Sequence, residues 1–161
     1  MPLKPPPSSA IPQSVDDADL QTRILSVLDS RHLMALATNR PDGWPQVTLA
    51  NYFRQEQALY FVVATDSQKF ANITRDPRVS IAIGGGAAGS CSLSMSAHAT
   101  EVRDFELIKR LNRTIQALPP ESGSTPHPGT NSVAMLEAQP QIITLVDYET
   151  PPGRREVLTV V

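Results

Sequence analysis

Short apolar blocks separated by turn residues fill the chain between Leu33 and Ile83. Residues 32–38, 45–53 and 58–64 are rich in Val, Leu, Ala and aromatic side chains and read as three consecutive strands. Asn39-Arg40-Pro41-Asp42-Gly43 joins the first two. Asp-Gly is a strong hairpin signal because Gly accepts the positive φ that a tight turn needs. Residues 55–57 make the next turn, and 79–83 form a fourth strand. A long strand is predicted over 91–102, and the last strands over 132–137, 141–148 and 155–161.

Helical spacing appears in three places. Asp16, Asp17 and Asp19 precede Leu20, Ile24, Leu25, Val27 and Leu28, which predicts an amphipathic helix over 16–30, closed by Arg31-His32 at its negative end. A short helix over 67–75 must stop near Asp76-Pro77, since the residue before proline disfavours helical backbone. Residues 104–118 place Phe105, Leu107, Ile108, Leu111 and Ile115 on roughly one face. Gly84-Gly85-Gly86-Ala87-Ala88-Gly89 lacks the lysine of a phosphate-binding loop, and no helical pattern follows it, so it is read as a plain strand connection. Residues 119–131 hold Pro, Gly, Ser and Thr and are expected to form a mobile loop. Residues 1–15 form a proline-rich arm, leaving 16–161 as one domain. Hairpins, a long strand, a helix and further strands predict a mainly β fold, an antiparallel barrel with flanking helices.

The 161 residues suffice for one domain with a real core. Aromatic residues make up only 5 %, so Val, Ile, Leu and Ala must fill that core. A net charge of −2 excludes non-specific nucleic-acid binding, which needs clustered cations. The single cysteine, Cys91, permits no intrachain disulfide. His32, His98 and His127 lack metal-ligand spacing, so no metal site is expected. With no secretory apolar stretch in the arm and no apolar run long enough to span a bilayer, a soluble cytoplasmic protein is expected.

The candidate chemistry lies where the third strand meets the second helix, at Thr65-Asp66-Ser67-Gln68-Lys69. Asp66 or Ser67 can cap the helix, while Thr65, Ser67 and Lys69 can donate to an anion. Helix N-termini gather phosphate because their free N–H groups and positive dipole end coincide. Two readings fit these residues: a phosphate corner, or a capped surface helix with a solvated lysine. Beside it, the backbone of Gln46-Val47-Thr48-Leu49-Ala50-Asn51 can border a flat ring or serve as an ordinary barrel strand.

The same residues resemble the pyridoxamine 5′-phosphate oxidase-like family of FMN-binding split β-barrels, whose strands are antiparallel and Greek-key. The resemblance covers about residues 19–148. It rests on Leu33-Met34-Ala35-Leu36-Ala37-Thr38, Gly43-Trp44-Pro45-Gln46-Val47, and Asp66-Ser67-Gln68-Lys69-Phe70-Ala71-Asn72-Ile73 followed by Asp76-Pro77-Arg78-Val79-Ser80. Ala97-His98-Ala99-Thr100-Glu101-Val102 is similar to a later strand of the family. It implies a homodimer with FMN at the subunit interface and a small-molecule substrate. Ser67, Gln68 and Lys69 match the phosphate positions. Val47, Thr48, Leu49 and Ala50 match the strand against the isoalloxazine ring, and Val62 and Val63 the adjacent strand end. Ser92 falls where the second subunit often offers a glutamine. Relatives of this fold also use a deazaflavin or haem. Two departures stand out. Arginines that the oxidases carry near Val47 and at Gln68 are absent, and the C-terminal residues 154–161 lack the tryptophan-bearing tail. The resemblance therefore implies a flavin oxidoreductase or a non-catalytic flavin carrier or sensor, and not pyridoxamine phosphate oxidation itself.

Overall fold

The computed structural model describes residues 17–84, 91–117, 132–148 and 154–159. The expected arm, the glycine connection beyond Gly84 and the loop over 119–131 lie outside the described residues. In chain order the elements are α1 (Asp17–Asp29), β1 (Leu33–Asn39), β2 (Pro45–Asn51), β3 (Phe53–Gln55), β4 (Ala58–Ala64), α2 (Gln68–Arg75), β5 (Arg78–Ile83), β6 (Cys91–Glu101), α3 (Phe105–Ala117), β7 (Val133–Asp147) and β8 (Arg154–Thr159).

Strands β2-β1-β5-β6-β7-β4-β3 form one sheet, with β8 added beside β7, and every pairing is antiparallel. The sheet curls into a half-barrel in which β2 comes close to β4 without pairing to it. This is the predicted split β-barrel, and the seam between β2 and β4 is its opening. Alternation decides which side chains go inside: along β5 every second residue, Val79, Ile81 and Ile83, is buried. Leu36, Leu59, Phe61, Leu93, Leu136 and Leu145 join them in the core, which α1 closes with Leu20, Ile24 and Leu28. A smaller cluster, with Phe53 stacked on Tyr60 at 5.5 Å, is covered by Leu111 of α3. No described helix is long and apolar enough to cross a membrane.

Three predicted strands differ from those observed. The strand expected over 45–53 breaks at Tyr52. The Tyr52 side chain turns into the core, where the hydroxyl donates to Leu28 O (2.9 Å), and the Tyr52 backbone N–H donates to His32 O (2.9 Å). The strands expected over 132–137 and 141–148 are one continuous β7. Pro140 sits where the register with β6 shifts, Ala97 pairing Pro140 and Ser96 pairing Ile142. A bulge is where a strand tolerates a residue without an N–H. At the β1–β2 hairpin, Gly43 has φ 86°, and the Asp42 carboxylate accepts from Trp44 N at 3.1 Å.

Candidate functional site

The corner after β4 is shaped by a cap. Ser67 is the N-cap of α2: its hydroxyl accepts from Phe70 N (3.1 Å) and donates to Ala64 O (2.6 Å). Both functions of that hydroxyl are spent on the chain itself. Thr65 turns toward β7, where its N–H and hydroxyl both donate to Ser132 O (3.2 and 3.4 Å). Neither side chain is therefore free to donate to an anion as the sequence suggested, whereas Lys69 is. Its ammonium is half-buried, and no acidic side chain among the described residues pairs with it. Burial alone holds its pKa below the ordinary lysine value. A desolvated cation without a counter-charge suits an incoming anion, and the dipole of α2 adds to it.

A hub that sequence reasoning missed lies one turn further along α2. Asn72 is 1 % exposed, and its side chain makes three hydrogen bonds. Its amide nitrogen donates to Thr38 Oγ1 (3.0 Å) and Gln46 Oε1 (3.1 Å), and its oxygen accepts from Gln68 Nε2 (2.8 Å). Strands β1 and β2 and helix α2 are thereby tied together beside Lys69. Because the Gln46 oxygen takes the Asn72 bond, its amide N–H groups are left for another partner. The only advance signal was a buried-face asparagine three residues after the lysine, which periodicity alone reads as one more polar helix position.

The seam completes the site. Among the described residues strand β2 is the edge of the sheet, so the side of its backbone facing away from β1 has no described strand beside it. Its side chains alternate. Val47 and Leu49 are 62 % and 66 % exposed on the outer face, while Thr48 and Ala50 turn inward with Gln46. Thr48 Oγ1 is buried with no hydrogen-bond partner among the described residues. Across the seam Val62 is exposed and Val63 buried. Val47, Thr48, Leu49 and Ala50 thus lie on β2 and Val62 and Val63 on β4, which comes close to it, while Thr65, Ser67, Gln68 and Lys69 occupy the turn after β4 and the start of α2.

Ser92 is not brought there. Thr38 lies level with Val79 and Ala97, and Ser92 sits five residues back along β6, roughly 16 Å away at strand spacing. It packs closely on Gly84, where a Cβ would lie 2.6 Å from that of Ser92. Within one chain Ser92 belongs to the far end of the sheet. Among the described residues no three His, Cys, Asp or Glu side chains converge as a metal site.

The sequence profile of the pyridoxamine 5′-phosphate oxidase family matches residues 20–135. No curated protein matches the chain. Among solved structures, an FMN-binding protein related to pyridoxamine 5′-phosphate oxidase from Nostoc punctiforme is 16 % identical, with a TM-score of 0.65 over 92 % of this chain and 93 % of that one. A heme-binding protein from Mycobacterium smegmatis is 20 % identical, with a TM-score of 0.66 over 83 % of this chain, which spans only 55 % of that protein. An F420 reductase is 24 % identical, with a TM-score of 0.56 over 73 % of this chain and 93 % of that one. Likeness at these identities concerns the fold.

Proposed function

Because the chain belongs to the pyridoxamine 5′-phosphate oxidase family, we propose that it holds a phosphorylated flavin, FMN or a relative esterified on the same phosphate, at the corner between β4 and α2. The observation that carries this reading is the half-buried, unpaired ammonium of Lys69 at the start of α2. Lys69 binds the phosphate, and the amides of Gln68 and Gln46 border it. The free edge of β2, at Val47, Thr48, Leu49 and Ala50, flanks the ring, with Val62 and Val63 across the seam. The buried, unpartnered Thr48 hydroxyl is a polar group that a ligand in this opening would satisfy. When bound, the flavin supplies hydride transfer, and the chain supplies orientation and electrostatics, which makes an oxidoreductase the natural activity.

The protein acts as a homodimer in this reading. The outer rows of the sheet, Leu49-Ala35-Ala82-Ser94-Thr144 and Val47-Ala37-Ser80-Ser96-Ile142, are small or apolar and bear no charge. A flat, neutral face of that kind suits a second copy, which would bring its Ser92 toward the first copy's cofactor. The heme-binding and F420-related neighbours set the alternatives, together with a non-catalytic carrier. The test is to mix the purified protein with FMN, desalt it, and record its visible spectrum and sedimentation. A retained two-band flavin spectrum on a dimer is expected. A Soret band after haem addition with no flavin retained, or a flavin-loaded monomer, contradicts the cofactor and the assembly respectively. Oxidation of a nicotinamide donor by the loaded dimer separates enzyme from carrier.

A further inference from the structure

The charge around the opening is unusually sparse. Strands β1, β2 and β4 carry no charged side chain at all. On α2 the cations are Lys69 and Arg75. Arg75 lies six residues on, roughly 9 Å along the helix, and donates to Asn39 O at 2.6 Å. Arg78 beyond it is held by the Asp76 carboxylate. Exposed Asp66, just before the N-cap, adds a negative charge rather than a positive one. Ser92, the residue a second copy would bring, is neutral.

The remaining groups are neutral donors. Asn72 Nδ2 donates to Gln46 Oε1 and Asn72 Oδ1 accepts from Gln68 Nε2, which leaves both N–H groups of Gln46 and one of Gln68 available without adding charge. The partnerless Thr48 hydroxyl shares the inward face of β2 with Gln46 and is a separate sign that a ligand belongs here. One cation, a helix dipole worth about half a charge and neutral N–H groups balance about one negative charge. A terminal phosphate monoester carries about −1.5 to −2 near pH 7, because its second pKa is about 6. A phosphodiester carries one.

We propose that this corner prefers a singly charged phosphodiester on the ribityl chain of its cofactor over the terminal monoester of FMN. The preference rests on the flavin-site reading above and states which phosphate that site is built for. Two cofactor types share the chemistry: a flavin dinucleotide, whose ribityl phosphate is esterified, and a deazaflavin whose phosphate is esterified to an acidic tail. Lys69 provides the charge, and Asn72 is a positioning residue that aims the two amides.

The test uses the full chain and three ligands with one ring: riboflavin, FMN, and FMN methylated on its phosphate to make the diester. Fluorescence titration at pH 7.5 should show the methyl ester binding at least tenfold tighter than riboflavin and several-fold tighter than FMN. Gln68→Arg adds a second cation on the exposed side of α2 and should reverse the order of FMN and the ester. FMN binding tighter than the ester in the wild-type chain overturns the preference while leaving the flavin site standing. Equal affinity for all three, or binding of none, overturns the phosphate corner and the preference with it. Adding the dinucleotide and the esterified deazaflavin then identifies the source: tenfold tighter binding of either over FMN supports the preference, and weaker binding of both overturns it.

Discussion

Replacing Asn72 by alanine removes a buried polar hub that ties α2 to β1 and β2. Its side chain donates to Thr38 at 3.0 Å and to Gln46 at 3.1 Å, and accepts from Gln68 at 2.8 Å. Gln46 and Gln68 lie near water and can recover their bonds there, so each costs about 0.5–1 kcal/mol net. Thr38 is 2 % exposed and cannot. Stranding its hydroxyl costs about 1–3 kcal/mol. The sum is roughly 2–5 kcal/mol, or about 4–20 °C in Tm for a chain of this size. Urea unfolding at pH 7 followed by circular dichroism measures it, provided the slope with denaturant matches wild type. Thr38→Val combined with Asn72→Leu should lose less than Asn72→Ala alone, because both polar partners then vanish together. A loss below about 1 kcal/mol for Asn72→Ala, or a double variant worse than the single one, refutes the buried network as a stabilising element.

The remaining predictions concern the rim of the fold. Arg54 donates to both carboxylate oxygens of Asp29 (2.7 and 2.8 Å), tying β3 to α1, and this hydrogen bonding chiefly holds the Asp29 carboxyl below its usual pKa. Asp29 is exposed, so Arg54→Ala should cost under ~1 kcal/mol at pH 7. The contribution is fully present above the unfolded carboxylate pKa of ~4 and is lost as pH falls through the lower folded value. A gap between variant and wild type that widens on acidification would contradict it. Glu56, in the β3–β4 turn, holds φ 55° without being glycine. Glu56→Gly should gain about 0.5–1 kcal/mol in thermal unfolding and Glu56→Val should lose stability; a destabilising glycine would mean that the Glu56 side chain matters more than the backbone strain.

Most of the sheet was legible because its signals are local. The Asp42-Gly43 turn, the alternation in β5 and the proline after Asp76 each act within a few residues. The two strand errors came from interactions that sequence spacing does not carry. Tyr52 leaves the strand for bonds to His32 and Leu28, twenty and twenty-four residues away along the chain. Pro140 reads as a break until β6 is seen to slip by one residue opposite it. At the site, the lysine corner was legible as a motif, but how its hydroxyls are used was not. Capping and the Ser132 carbonyl claim Ser67 and Thr65, and only coordinates show those competing partners. Asn72 was missed because its meaning lies in three partners, two of them on other elements.

Lys69 decides whether the corner is a phosphate site. Titrating FMN and riboflavin against the wild-type chain and Lys69→Ala isolates it, because the two ligands share a ring and differ only in the phosphate. Losing a charge-assisted hydrogen bond costs about 1.5–3 kcal/mol, and each 1.4 kcal/mol is tenfold in affinity. FMN should therefore bind Lys69→Ala roughly tenfold or more weakly, with riboflavin unchanged. Equal FMN affinity in the two proteins would show that Lys69 is a helix residue without a ligand, and equal losses for both ligands would trace the effect to the fold.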